Sequence, residues 1–381
     1  MLQLNSDHHF HFELLRVLAT TRTYGADVAE VLNVCERIKP GDFESWYDEF
    51  HKLALWVESS ISEKRVHDKI TLRDAYFRIA RYHFSSSFFL TGDPSDVRNF
   101  DTWKLWTSYF DKAASLLDTP AERFTLDAGD FKIPLILLRA TTGDSPRPVL
   151  IMSNGLDGSQ EEMLHFHASP PLSEKMGFIN EWERVVSPIV DWLEPQSFVD
   201  PRKIGLLGVS LAGYLAVRAA AFEHRLAAVI LNDAIFDVSH GVEIIIGEKA
   251  MQYEAAGDID AFHRQIEEEG RTNTKLRWLT NQLRWAYATK TTHEALQQVR
   301  RMTLVGLLDK VQSPVFVGDA EGDLFIKSEQ PQLVAEGLGS LATYKQFTKA
   351  ESADAHCHLG ATVYANQVML GWFEDQIATP N

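Results

Sequence analysis

The chain predicts an α/β fold, with a mostly parallel sheet covered on both faces by helices. Three observations carry this reading. From Glu122 onward, short β-rich runs alternate with helical patterns. The runs IGLLG and LAAVILND are almost uninterruptedly apolar, as strands buried on both faces must be. The first third, and the stretch from about 238 to 312, carry helical spacing alone.

In chain order, DFESWYDEFHKLALWV and TLRDAYFRIARYHF place apolar residues three and four apart behind capping residues, and TWKLWTSYFDKAASLL continues the pattern to Leu117. Thr119-Pro120 then ends it. ERFTLD, FKIPLILLRA and RPVLIMSNG read as strands separated by the turn signals AGD and TTGDSPR. NEWERVVSPIVDWLE follows as a helix. Trp182, Val185, Val186, Ile189, Val190 and Leu193 form its stripe, Asn180 and Glu183 its expected capping box, and Pro188 its expected kink. Next come strand IGLLG, helix LAGYLAVRAAAF, strand LAAVILND, the helical stretch, strand SPVFVGD, strand TYKQFT and the helix ANQVMLGWFEDQI.

The 381 residues are 45% hydrophobic and 24% charged, as in ordinary globular chains. Lys and Arg number 37 against 53 Asp and Glu, a formal charge of −16. Phosphate-backbone binding needs a basic stripe, and none is present, which argues against nucleic acid as a partner. Two cysteines, Cys35 and Cys357, make no disulfide framework and suit a reducing compartment. The N-terminus lacks a signal-peptide pattern, and no run approaches the ~18 apolar residues of a membrane span. The expectation is a cytoplasmic protein without a membrane partner. Oligomeric state stays open, a homodimer included.

Chemistry concentrates at Gly208-Val209-Ser210-Leu211-Ala212-Gly213, which follows a buried strand and opens a helix. That is the context of a nucleophile elbow, whose sharp turn demands small neighbours. Gly208 and Ala212 qualify, although Ala212 adds one methyl where glycine is usual. The backbone N–H of Leu211 would point at an oxyanion. A serine needs a base and the base needs an acid, in the order Ser, acid, His along the chain. Asp323, in AEGD after the strand PVFVGD, is the expected acid, with Asp319 and Glu321 its competitors. His356, in AESADAHCHLGA before the last helix, is the expected base, with His358 its competitor. The second oxyanion donor is expected in Asn154-Gly155-Leu156-Asp157-Gly158, from the N–H of Leu156 or Gly155. His8, His9 and His11 in HHFHFE read as an exposed terminus, not a metal site. Cys357 reads as a buried filler. Trp278 and Trp285, seven apart, are equally suited to packing or to lining a pocket. No metal or cofactor is expected.

The stretch VDPRKIGLLGVSLAGYLAVRAAAFEHRLAAVI, together with AHCHLGA and NGLDGSQEE, resembles the serine α/β-hydrolases related to dihydroxypseudooxynicotine hydrolase. FHFELLRVL, YGADVAEVL and GDFESWYDEF resemble a fungal branch from polyketide–peptide biosynthetic clusters, acting on fusarin-, pseurotin- and cytochalasan-type intermediates. The resemblance spans nearly the whole chain and supports His356 over His358. It implies an α/β-hydrolase fold divided into a helical N-terminal domain (1–118), a core (119–237 and 313–381) and a helical lid insertion (238–312). It implies a Ser210–Asp323–His356 triad and a cleft between the N-terminal part and the core, with Glu13, Tyr24 and Asp27 as substrate contacts. The implied substrate is a small molecule with an activated carbonyl: an ester, a lactam or a β-dicarbonyl C–C bond of a polyketide-type secondary metabolite. Some relatives cleave C–C bonds beside a ketone and others close rings. A cyclase using the same site, or a degenerate non-catalytic member, is therefore the alternative.

One departure from the resemblance is plain. Relatives carry a strand and a glycine-rich turn between the oxyanion loop and the NEWERVV-type helix. Here no β-branched apolar run occurs from 158 to 179, and Pro170-Pro171 breaks any helix. One central strand–turn segment is expected to be missing, so the sheet must close up differently or lack that part.

Overall fold

An aspartate starts each of the first five helices: α1 (His8–Ala19), α2 (Val28–Cys35), α3 (Phe43–Ser60), α4 (Lys69–Ser87) and α5 (Val97–Ala114). In each, the carboxylate accepts a backbone N–H of the first turn, which satisfies an orphan donor and complements the helix dipole. The computed structural model describes residues 2–61, 66–164 and 178–378. Phe10, Leu14 and Val17 of α1 face the core formed with Trp46, Phe50 and Tyr82. The expectation of an exposed HHFHFE terminus is corrected here. His9 is 3% exposed, and its ring lies 4.7 Å from that of Trp278. Asp7 caps the segment into a helix, which turns His9 inward. Burial lowers the His9 pKa to about 4, so the ring is neutral near pH 7.

The strands follow. β1 (Glu122–Asp127) and β2 (Lys132–Leu137) form an antiparallel hairpin. β3 (Arg147–Ser153) begins a separate sheet and is followed by α6 (Glu183–Leu193), β4 (Val199–Val209), α7 (Leu211–Ala220) and β5 (Ala228–Asn232). The helical stretch comprises α8 (Val238–Ile246), α9 (Glu248–Ala255), α10 (Ile259–Gly270), α11 (Thr274–Ala286) and α12 (Thr292–Val299). β6 (Val315–Ala320), α13 (Glu329–Leu338), β7 (Ala342–Phe347) and α14 (Thr362–Ala378) complete the order.

The second sheet is parallel throughout, in the order β3-β4-β5-β6-β7. Side chains alternate across it as the strand period requires. Leu206, Val229, Leu231, Val315 and Val317 pack on the α7 side, with Leu215 and Ala216. Leu207, Ala228, Ile230 and Phe316 face Met369 and Phe373 of α14. Burial on both faces explains the unbroken apolar runs in the sequence.

Among the described residues no strand lies between β3 and α6. β3 pairs directly with β4, and its other edge faces β2 across a cavity of about 1040 Å³. Ile133, Leu135, Val149, Ile151 and Trp182 contribute to the cavity wall. Most of the departure noted above, residues 165–177, lies outside the described residues. The capping box expected at α6 does not form. The helix begins at Glu183 without a side-chain cap, because the Asn180 carbonyl oxygen instead accepts the Tyr214 hydroxyl at 2.5 Å. Among the described residues no helix is long and apolar enough to cross a membrane.

Candidate active site

β4 ends at Val209 and α7 begins at Leu211, leaving Ser210 alone at the bend with φ 55°. A non-glycine residue there is strained, and the surroundings hold it. Ser210 N–H donates to Asn232 O (2.9 Å), and Gly213 N–H donates to Ser210 O (2.7 Å). The small neighbours are obligatory. A Cβ on Gly208 would lie 1.9 Å from Ala212 O, and one on Gly213 would lie 2.2 Å from Asp233 O. Ala212 itself is fully buried, so its extra methyl is accommodated.

The Ser210 hydroxyl lies 2.9 Å from His356 Nε2, and His356 Nδ1 lies 2.6 Å from Asp323 Oδ2. Asp323 is held by its other oxygen, Oδ1, which accepts the N–H groups of Phe325 (2.6 Å) and Ile326 (2.9 Å). The competitors are engaged elsewhere. Asp319 accepts from Tyr344 and Gln346, Glu321 accepts the Lys349 N–H, and His358 Nδ1 sits 3.0 Å from Ala353 O.

A second carboxylate stands beside the same imidazole. Asp233, the residue after β5, places Oδ2 3.1 Å from His356 Nδ1, and its side chain is 1% exposed. Sequence reasoning passed over it, although its place at the end of LAAVILND was a signal. Burial alone would lower the His356 pKa, but the carboxylates of Asp323 and Asp233 raise it well above 6.5. Burial pushes Asp323 up to about 6 against the pull of His356. Asp233 also feels burial, yet His358, His356 and the Cys357 N–H hold it well below the usual carboxylate range. Burial pushes the Cys357 thiol up to about 12, which keeps it an unreactive filler. Asp233, His356 and Cys357 could in principle share a metal ion, but both ring nitrogens of His356 already face protein partners.

Leu211 opens α7, where backbone N–H groups have no partner within the helix. Across from it, Gly155 approaches so closely that a Cβ there would lie 2.9 Å from Ser210 Cβ. The loop carrying Gly155 and Leu156 is fixed from two sides. Gln282 of α11 donates to Leu156 O (2.8 Å), and Arg16 of α1 reaches Asp157 (3.1 Å). Arg16 also contacts Glu13 (3.4 Å) and Glu162 (2.9 Å), and Arg81 pairs with Glu162. Burial raises Glu13 to about 8 despite Arg16.

The cavity over Ser210 has a volume of about 120 Å³, with Phe12, Leu156, Ile235, Trp278 and Phe325 on its walls. Trp278 therefore lines the site. Trp285 lies instead on the larger cavity beside β2 and β3. Three expected substrate contacts are corrected. Glu13 is inside the ion cluster and on neither cavity wall. Asp27 caps α2, and Tyr24 is 46% exposed beneath the Arg73 guanidinium. Neither Tyr24 nor Asp27 lies on the wall of either cavity, and the Asp27 carboxylate is already used as a helix cap.

The chain is similar over nearly its whole length to hydrolase acrC of Aspergillus aculeatus, 26% identical over 428 aligned residues covering 99% of this chain and 98% of that protein. It is also similar to the 20-hydroxy-prefusarin hydrolase FUS2 of Gibberella moniliformis, 26% identical over 405 residues covering 97% and 96%. Both alignments exceed the 381 residues of this chain, so these relatives carry residues that it lacks. The crystal structure of 2,6-dihydroxy-pseudo-oxynicotine hydrolase superposes with a TM-score of 0.65 at 19% identity, covering 94% of this chain and 95% of that one. No protein-family model matches. The fold is that of the α/β-hydrolases, and the relatives are named hydrolases of fungi.

Proposed function

We propose that this α/β-hydrolase-fold enzyme is a serine hydrolase acting on an activated carbonyl of a polyketide-type secondary metabolite. The observation that carries the reading is the continuous line from Ser210 Oγ to His356 Nε2 (2.9 Å) and from Nδ1 to Asp323 (2.6 Å). Ser210 Oγ attacks the carbonyl carbon while His356 takes its proton. The N–H groups of Leu211 and of Leu156 or Gly155 stabilise the oxyanion, each donor being worth ~10²–10³ in rate. Collapse expels the leaving group, which takes the proton from His356. Water, deprotonated by the same imidazole, then releases the acyl group.

The substrate class rests on the relatives, one of which is named for a prefusarin substrate. The mostly apolar walls beside Ser210 suit an apolar ring or branched chain next to the reacting carbonyl. Leu156 and Asp157 also border the larger cavity, which offers room for the bulk of such a metabolite. Trp278 and Trp285 then contact substrate on the two sides. A fluorophosphonate probe is expected to label the protein at Ser210 and to leave folded Ser210→Ala unlabelled. A folded wild-type protein that takes up no label overturns the proposal.

A further inference from the structure

We infer that Asp233 is a second acid partner of His356, sharing with Asp323 the orientation of the imidazole and the stabilisation of its protonated form. The inference rests on the serine-hydrolase reading of the site.

The two carboxylates arrive from neighbouring strands. Asp233 directly follows β5 and Asp323 lies three residues beyond β6, and β5 pairs with β6. Both therefore reach the same end of the sheet, where the His356 turn crosses it. Asp233 is turned there by a backbone φ of 64°, a conformation aspartate tolerates better than most residues. Gly213 makes the room, because a Cβ would collide with Asp233 O.

Among the described residues no arginine or lysine forms an ion pair with Asp233. Its Oδ2 accepts the Cys357 N–H and lies 3.1 Å from His356 Nδ1, while Oδ1 has no hydrogen-bond partner among the described residues and faces His358 Nε2 at 3.7 Å. A fully buried carboxylate is costly unless a cation compensates it. The positive charge that forms on His356 when it takes the Ser210 proton does so. Asp323 holds the shorter contact and sets the ring's tautomer. Asp233 sits beside the same nitrogen and can accept its N–H hydrogen bond when Asp323 cannot.

Other charged groups face this centre at longer range. Asp319 acts on His358 from β6, and Lys275 of α11 lies on the Asp323 side, donating to Leu324 O. Arg16, Asp157, Asp237 and Lys327 line the cavity in front. None of these stands between His356 and Asp233.

The test is the second-order rate of fluorophosphonate labelling against pH, for wild type, Asp233→Asn, Asp323→Asn and the double variant. The acid limb reports His356 in the free enzyme. Removing one neighbouring anion lowers the imidazole pKa, so Asp233→Asn is expected to move the limb down by about one pH unit. Asp323→Asn is expected to keep a rate at least ~10-fold above the double variant, which loses both partners. An unmoved limb in Asp233→Asn, or an Asp323→Asn rate no higher than the double variant, overturns the inference. Should Asp233→Asn not fold, the acid limb of Asp323→Asn is read instead. A limb still above about 6.5 supports a second anion beside the ring, and one at or below it removes the inference. A wild type that does not label at all overturns the serine-hydrolase reading, and this inference falls with it.

Discussion

Arg16 in α1 donates to Asp157 at 3.1 Å, which ties the first helix of the chain to the loop that faces Ser210. The guanidinium is buried and also serves Glu13 of the same helix and Glu162, so one side chain joins α1 to acids 141 and 146 positions away.

Replacing Arg16 leaves Asp157 without its cation and removes one of the two guanidinium groups on Glu162, while Glu13, raised to about 8, is largely protonated at pH 7. Arg16→Gln is expected to destabilise the protein by ~3–5 kcal/mol, the usual cost of breaking a buried pair. Arg16→Lys keeps the charge but loses the fork that reaches several oxygens, and should fall between. Urea unfolding at pH 7 measures both. A loss within about 0.5 kcal/mol for Arg16→Gln, the size of a surface change, would contradict the role assigned to the cluster.

Glu13 gives the cluster a pH dependence. Burial raises its folded pKa to about 8, so between the unfolded value near 4.5 and about 8 the folded state binds the extra proton. Stability from this group is therefore greatest at low pH and falls as pH rises through that window. Glu13→Gln mimics the protonated carboxyl. It is expected to be near neutral at pH 5 and stabilising, on the order of a few kcal/mol, at pH 9. Melting temperatures at the two pH values decide.

His356 must be neutral to take the Ser210 proton, and its neighbours raise its pKa well above 6.5. The labelling rate at Ser210 is thus expected to climb through neutral pH, with its acid limb above 6.5. The same shift has the opposite sign for stability. The protonated ring stabilises the fold below its unfolded pKa, and that contribution is lost as pH passes the folded value. A limb at or below 6.5 would show that the two carboxylates do not act on the ring as the geometry requires.

Gly155 tests the loop opposite the nucleophile. A methyl there would come within 2.9 Å of Ser210 Cβ and 3.2 Å of its hydroxyl. Gly155→Ala is expected to fold but to label ~10–100-fold more slowly, because the loop must retreat from the oxyanion position. Gly208→Ala is harsher, since its methyl would meet backbone at 1.9 Å, and it is expected to yield little folded protein.

Much of this was legible in the sequence. Apolar runs marked the buried strands, three-to-four apolar spacing behind capping residues marked two of the early helices, and a serine between Gly208 and Ala212 marked the bend. Ser210, Asp323 and His356 could be placed after strands, with the family resemblance helping to prefer His356 over His358, and the structure brings the three within hydrogen-bond reach. Other readings failed where the deciding contact leaves no mark in the local pattern. HHFHFE looked like a free terminus because nothing local reveals Trp278 or Phe325 against His9. Glu13, Tyr24 and Asp27 looked available for a ligand because their partners Arg16 and Arg73 and the α2 cap are matters of packing and backbone geometry.

What the sequence determined by itself was the set of elements and the chemistry each could carry, because periodicity, capping and turn sterics act over a few residues. Tertiary structure decided which groups meet: that β3 closes directly onto β4, that Arg16 anchors the loop beside Ser210, and that two aspartates from adjacent strands flank one imidazole. Those choices depend on charges and surfaces buried together by residues from 33 to 141 positions apart, and short-range pattern carries no record of them.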